Sequence, residues 1–231
     1  MAMEIYWISG SPYAWRALLA LEVKGATYHS RLLDFSKGDT KTPEFRMMNP
    51  RGKVPVLKDG DHVQTESLAI IAYLDRKIPA PPLFGRTAEE TGRVWRAISE
   101  SVSYLEPAGR RIALRIFFGD TSEPAELIGK AVEEARAELR AMEDALARRR
   151  FLAGDELSAA DIAVYPFLEL LLRAAGKDAA QPLDLRLLPL AKTYPAIAAW
   201  RERIVALPGY ERTYPPHWRP AGAAAKSVAA R

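Results

Sequence analysis

Three short stretches of this 231-residue chain combine residue types that could hold an anion and an extended ligand. The first is Ser9-Gly10-Ser11-Pro12-Tyr13, where a strand-like run gives way to a helical one. A hydroxyl at a helix amino terminus sits among unpaired N–H groups, which favour negative charge. Ser11 therefore has two readings, an anion-stabilising donor or simply the cap of its helix, and Ser9 competes for either role. The second stretch is Asn49-Pro50-Arg51-Gly52-Lys53-Val54-Pro55-Val56-Leu57. A proline has no N–H to give a central ladder, so Pro55 marks an edge or a special turn. X-Pro bonds are also where cis peptides occur, and a cis bond here would turn the Val54 backbone outward as an edge for an extended ligand. The third is Glu66-Ser67, a carboxylate beside a hydroxyl, which taken alone reads as an ordinary helix start.

Composition narrows the chemistry. There is no cysteine, hence no thiolate nucleophile and no Cys-ligated metal, and His29, His62 and His217 lack the His-x-x-x-His spacing of a helical metal pair. No metal site is expected, and any thiol must come with the substrate. The formal charge of +4 invites a nucleic-acid reading, with Arg110-Arg111 and Arg148-Arg149-Arg150 as its best support. The second of these closes a helical pattern, where cations suit the negative end of the helix dipole, and carboxylates are spread along the chain, so no nucleic-acid partner is expected. No apolar run approaches the roughly 18 to 20 residues of a membrane span, and the amino end has no basic, apolar and small-residue sequence of a secretion signal. The expectation is a soluble, cytoplasmic protein with no membrane partner.

The elements that must position these residues fall into two groups. Residues 3 to 9 read as a strand, Tyr13 to Lys24 as a helix stopped by Gly25, and Tyr28 to Asp34 as a second strand, a β-α-β opening that predicts a parallel pair. Ser36 to Pro50 is helix or loop. Val54 to Lys58, the turn Asp59-Gly60-Asp61 and His62 to Thr65 read as a β-hairpin, with a helix over Ser67 to Lys77. The triple-proline segment from Ile78 to Gly85 ends these patterns. Beyond it strand alternation vanishes, and helical spacing runs over about 88 to 118, 123 to 150, 158 to 175 and 195 to 206. Pro107 and Pro166 mark a kink or an early turn within two of these. Leu157-Ser158-Ala159-Ala160-Asp161-Ile162 reads as a capping box, with Leu157 and Ile162 as its staple. The expected organisation is a first domain over 1–80, a linker over 81–87, an all-helical domain over 88–220 and a flexible tail over 221–231. The fold class is α/β plus all-α.

Taken in order, these motifs resemble the cytosolic glutathione S-transferases. Ser11-Pro12-Tyr13-Ala14 looks like the thioredoxin-type Cys-Pro-Tyr-Cys site with both cysteines replaced. Lys53-Val54-Pro55, Glu66-Ser67, the proline-rich linker and the Ser158 capping box complete the pattern over about residues 4 to 210. The run from Trp15-Arg16 to Lys24-Gly25 is similar to serine-type members such as the zeta and related bacterial classes. The resemblance implies a thioredoxin-like N-terminal domain that binds glutathione and a helical-bundle C-terminal domain that lines the second-substrate pocket. It assigns Ser11 the hydrogen bond to the glutathione sulfur, a donor that would favour thiolate over thiol. It assigns Val54, before Pro55, the main-chain pairing with the cysteinyl unit, and Glu66 and Ser67 the ammonium and carboxylate of the γ-glutamyl unit. Lys53 either reaches the glycine carboxylate or is simply a solvated lysine.

For the second substrate the resemblance points to Ser9, Tyr13, Tyr104, Arg111 and Phe118, with Leu114 and Trp218 as further candidates by position, and for each the competing reading is packing. The implied activity is a detoxification-type transferase in which glutathione, a co-substrate and not a resident cofactor, attacks a small electrophile by conjugation, substitution or assisted isomerisation. The alternative is a non-catalytic glutathione-binding or assembly module of the same fold. A homodimer is implied by the family alone.

Overall fold

The computed structural model describes residues 2–219, in two units: residues up to Pro82 together with those from Val205, and Leu83–Ile204. The expected tail over 221–231 lies outside the described residues.

The first unit is built on β1 (Met3–Trp7), whose alternation puts Met3, Ile5 and Trp7 into the core and Glu4 and Tyr6 on the other face. Helix α1 (Pro12–Val23) follows. Pro12 suits its first position, where an N–H would be unpaired anyway, and the unbroken run Ala14 to Leu21 is buried. Gly25, at φ +60°, takes the left-handed turn that ends it. Strand β2 (Tyr28–Leu32) then pairs parallel with β1, as the β-α-β opening predicts. The uncertain stretch resolves into a 3₁₀ turn, Asp39–Lys41, and helix α2 (Pro43–Met48), capped by the Thr42 hydroxyl. The hairpin is present as β3 (Val56–Asp59) and β4 (His62–Thr65), joined through Gly60 at φ +61°, and α3 (Ser67–Lys77) follows. The sheet order is β2-β1-β3-β4, with β3 antiparallel to both β1 and β4.

The second unit is helical apart from an isolated β-bridge between Phe151 and Gly154. Its helices are α4 (Ala88–Glu100), α5 (Glu106–Phe118), α6 (Ala125–Leu146), α7 (Ala159–Ala175), α8 (Leu190–Thr193) and α9 (Pro195–Val205), the last residue of which groups with the first unit. The expected continuous helix over 88–118 is interrupted by a π-helical turn, Ser101–Leu105. Pro107 explains it: with no N–H it cannot continue the regular ladder, and the wider turn accommodates the break. Pro166, by contrast, lies well inside α7, which runs on to Ala175. The Ser158 capping box is present, and Asp161 does more than cap. Fully buried, its carboxylate accepts from the Leu152 and Ser158 N–H groups, the Ser158 hydroxyl and the Trp200 indole, all at 2.8–2.9 Å. Burial pushes its pKa up, opposed by these four donors. Glu143 on α6 likewise accepts from the Ala196 and Ile197 N–H groups that start α9.

Helical turns continue beyond Val205 within the span expected over 88–220. From Val205 the chain packs with the first unit, because helix α10 (Tyr210–Thr213) and the residues up to Trp218 dock on α1. The Trp15 indole donates to the buried Thr213 hydroxyl at 2.8 Å, and the Arg212 guanidinium forks onto Glu22, which also accepts from the Tyr28 phenol. The residues that α10 joins to α1 lie too far apart in sequence for periodicity to link them.

Candidate active site

Sheet register brings the three chemical stretches to one end of the first unit. β1 runs toward Ser9, while β3 starts at Val56, opposite both Tyr6 of β1 and Thr65 of β4. Continuing that register past Val56 sets Val54 between the exit of β1, which leads to Ser9 and Ser11, and the exit of β4, which leads to Glu66 and Ser67. Side chains and backbone groups that are distant in sequence thus share one end of the sheet.

Ser11 is the amino-terminal cap of α1, in extended backbone at φ −74° and ψ 116°. Its oxygen accepts from the Ala14 N–H at 3.3 Å. A hydroxyl has one proton to give besides its acceptor capacity, and among the described residues nothing takes the Ser11 proton. Capping and donation to a ligand are therefore compatible, and the two readings of Ser11 need not compete. The first turn of α1 holds no acidic side chain, so the field of its amino end is not cancelled locally. Five residues on, Arg16 is 1% exposed, with its guanidinium carbon 5.3 Å from the centre of the Tyr13 ring.

Ser9 is differently engaged. Its hydroxyl lies 2.6 Å from Nδ1 of His217, a hydrogen bond across 208 residues. No spacing in the sequence links His217 to Ser9.

The Val54–Pro55 bond is cis, and Pro55 is buried. Val54 lies just outside the ladder, and among the described residues its N–H and C=O bond to no other group. Asn49 holds this segment from below by donating to the Lys53 carbonyl at 2.7 Å, while the Lys53 side chain is exposed. Gly52, at φ +62°, also brings its backbone so near the Thr40 carbonyl that a Cβ would stand 3.0 Å from it.

Glu66 has φ +66° and ψ 115°, a backbone state that side-chain-bearing residues rarely adopt. It caps α3 without a side-chain hydrogen bond, and among the described residues its carboxylate has no partner. Ser67 is 7% exposed, and its hydroxyl makes no hydrogen bond among them either. Strained backbone concentrates at functional sites, and here it aims a carboxylate and a hydroxyl at the same helix start.

Tyr13 is 38% exposed beside Ser11. In the second unit Tyr104 is 59% exposed on the π-helical turn and Phe118 is 78% exposed at the end of α5. Arg111 pairs with Glu123 at 3.3 Å in a cavity of about 260 Å³ that it shares with Arg110 and Asp120. Leu114 lines that cavity as well. Trp218 packs edge-on against Trp15 with ring centres 5.6 Å apart. Among the described residues no group of three or more His, Asp or Glu could hold a metal ion, and no helix is long and apolar enough to cross a membrane.

Comparison with known proteins places this arrangement. Residues 10–77 match the model of the glutathione S-transferase N-terminal domain, and residues 93–203 match that of the C-terminal domain. Glutathione S-transferase F10 of Arabidopsis thaliana is 34% identical over 194 residues, spanning 82% of this chain and 86% of its own. The crystal structure of a glutathione S-transferase from the Antarctic clam Laternula elliptica superposes with a TM-score of 0.80 at 30% identity, covering 94% of each chain. A glutathione S-transferase-I bound with lactoylglutathione superposes with a TM-score of 0.75 at 27% identity, over 92% of this chain and 98% of that one.

Proposed function

The chain belongs to the cytosolic glutathione S-transferase family, and from that premise we propose that Ser11 is the residue that activates the thiol of glutathione. The activity is that of a glutathione transferase, with the thioredoxin-like first unit and the helical second unit that this fold comprises. The observation that carries the Ser11 assignment is its hydroxyl proton, which no described group accepts, at the uncancelled amino end of α1. A donor and a helix terminus both stabilise a thiolate more than a thiol, so they lower the pKa of a bound thiol. The thiol proton passes to solvent. The thiolate sulfur then forms a bond to an electrophilic carbon, and either a leaving group departs with its electron pair or the adduct takes up a proton. Ser11 stays protonated throughout and keeps its role as donor.

Beside it, the unpaired Val54 N–H and C=O are proposed to hold the cysteinyl backbone of glutathione in the manner of an added strand. Glu66 would receive the γ-glutamyl ammonium, Ser67 with the start of α3 its carboxylate, and Lys53 the glycine carboxylate. Pro55 shapes the segment. For the electrophile, Ser9 and Tyr13 flank Ser11 in the same unit, and Tyr13 offers an exposed ring. In the second unit Tyr104 and Phe118 present exposed rings, whereas Arg111 is committed to Glu123 and is the weakest of the candidates. A cytoplasmic homodimer completes the reading. Exposed Leu32, Phe35 and Met47 on the first unit support self-association, which a doubled mass in solution would register.

The test is Ser11→Ala. Glutathione-dependent turnover with an aromatic electrophile should fall by about tenfold or more, with the bound thiol titrating at higher pH. Unchanged rates and an unchanged thiol titration would sink the assignment.

A further inference from the structure

The bond between His217 and Ser9 joins the carboxyl-terminal segment to the loop before Ser11. The segment is brought there by its own clamp on α1. The Thr213 hydroxyl accepts from the Trp15 indole N–H, and the Tyr214 and Trp218 rings both stand edge-on to Trp15 at 5.6 Å. A 3₁₀ turn, Pro216–Trp218, then sets His217 and Trp218 over Gly10. A Cβ added to Gly10 would lie 2.7 Å from His217 Cε1 and 3.2 Å from Trp218 Nε1, and Gly10 itself holds φ +82°. Two successive residues before Ser11 are thus fixed from outside, Ser9 through its hydroxyl and Gly10 through its bare backbone. Ser11 itself is tied to α1, its carbonyl accepting from the Trp15 N–H at 3.0 Å, and to the loop by its N–H, which reaches the Ile8 carbonyl at 3.2 Å.

We propose that His217 is a positioning residue for Ser11, acting through Ser9 and Gly10 to fix the backbone that aims the Ser11 hydroxyl. The proposal rests on the reading of Ser11 as the donor to the glutathione sulfur. A donor works only where the sulfur lies, and a displacement of about 1 Å can cost on the order of a hundredfold in rate. It also separates the two serines. The Ser9 hydroxyl serves the loop, and the Ser11 hydroxyl serves the ligand.

The experiment compares His217→Ala, His217→Asn, Ser9→Ala and the double alanine variant in the full chain. Readouts are kcat, the KM of each substrate and the ultraviolet absorbance of bound glutathione thiolate at neutral pH. His217→Ala and Ser9→Ala should each lower kcat by roughly fivefold to tenfold and weaken the thiolate signal, with the KM for glutathione within about twofold of the parent. The double variant should be no worse than either single one, because both remove the same contact. Asparagine offers a polar atom near the place of Nδ1 and should recover most of the loss. Ser9→Ala leaves the aromatic clamp intact, so it reports on positioning even where His217→Ala loosens the segment. Wild-type kcat and thiolate signal in both alanine variants, or an asparagine variant as impaired as alanine, would overturn the proposal. Ser11→Ala run alongside keeps the two ideas apart. A silent Ser11→Ala removes the premise, whereas an impaired Ser11→Ala with silent His217 and Ser9 variants removes only the positioning role.

Discussion

The Trp15 indole donates to the Thr213 hydroxyl at 2.8 Å, joining residues 198 apart, and neither side chain reaches solvent appreciably. Thr213 in turn donates to the Tyr210 carbonyl at 2.7 Å. Thr213→Val keeps the shape but leaves a buried indole N–H and a carbonyl without this partner. The expected cost is about 1–3 kcal/mol of unfolding free energy, read by denaturant titration, and a change within experimental error would show that the bond carries no stability.

Asp161 gives a sharper case. Asp161→Ala removes the acceptor for two backbone N–H groups, a hydroxyl and the Trp200 indole in the core of the second unit. A loss of about 3 kcal/mol or more is expected, against about 0.5–2 kcal/mol for Ser158→Ala, which removes only one partner of the box. If Ser158→Ala left the melting temperature unchanged while turnover vanished, the capping role would be the wrong one.

Glu66 should separate stability from binding. Glycine at this position would relieve a left-handed backbone, worth about 1–3 kcal/mol, while adding about 0.5–1 kcal/mol of chain entropy to the unfolded state. Glu66→Gly is therefore expected to melt at or above the parent temperature. Calorimetry should show glutathione binding weakened by about tenfold or more, since a charge-assisted hydrogen bond is lost. A stable variant with full affinity would remove Glu66 from the γ-glutamyl site.

Acid sensitivity should appear at Asp59. Hydrogen bonds from Lys77 and then from the Tyr73 phenol, the latter at 2.6 Å, hold its carboxyl below the usual aspartate range. A lowered value in the folded state means stability that is present above the ordinary aspartate value and is lost as pH falls through the lowered one. The melting-temperature gap between the parent and Asp59→Asn should be open near about pH 6 and narrow toward about pH 3. A gap that stays constant over that range would show the pair does not contribute through ionisation.

Much of this molecule was legible from local chemistry. Ser11 and Ser158 announce helix starts because a short hydroxyl answers N–H groups two or three residues away, and the hairpin around Gly60 arises from alternation and one turn. The special turn at Val54 could be anticipated because Pro55 has no N–H to give a ladder. Three features escaped. The π-helical turn at Ser101–Leu105 depends on how one missing N–H at Pro107 is absorbed, a choice between several backbone solutions of similar energy. The return of Thr213, Tyr214, His217 and Trp218 to α1 and its preceding loop depends on pairings across roughly two hundred residues, where no period or spacing carries information. The positive φ of Glu66 also gives no sign in sequence, since glutamate is not a residue that favours it.

The grouping of residues before Leu83 with those from Val205 makes the helical unit an insertion within the first one. During synthesis, β1 through α3 leave the ribosome long before α10 exists, and domains generally close as their residues become available. Until then Trp15 lacks the Thr213 hydroxyl, Glu22 lacks Arg212 and Gly10 lies uncovered. The inserted helices can finish folding while their host waits. A late-translated segment is thus the one that closes the first unit, so a chain truncated after Ile204 would keep the whole helical unit and lack the residues that complete the first one.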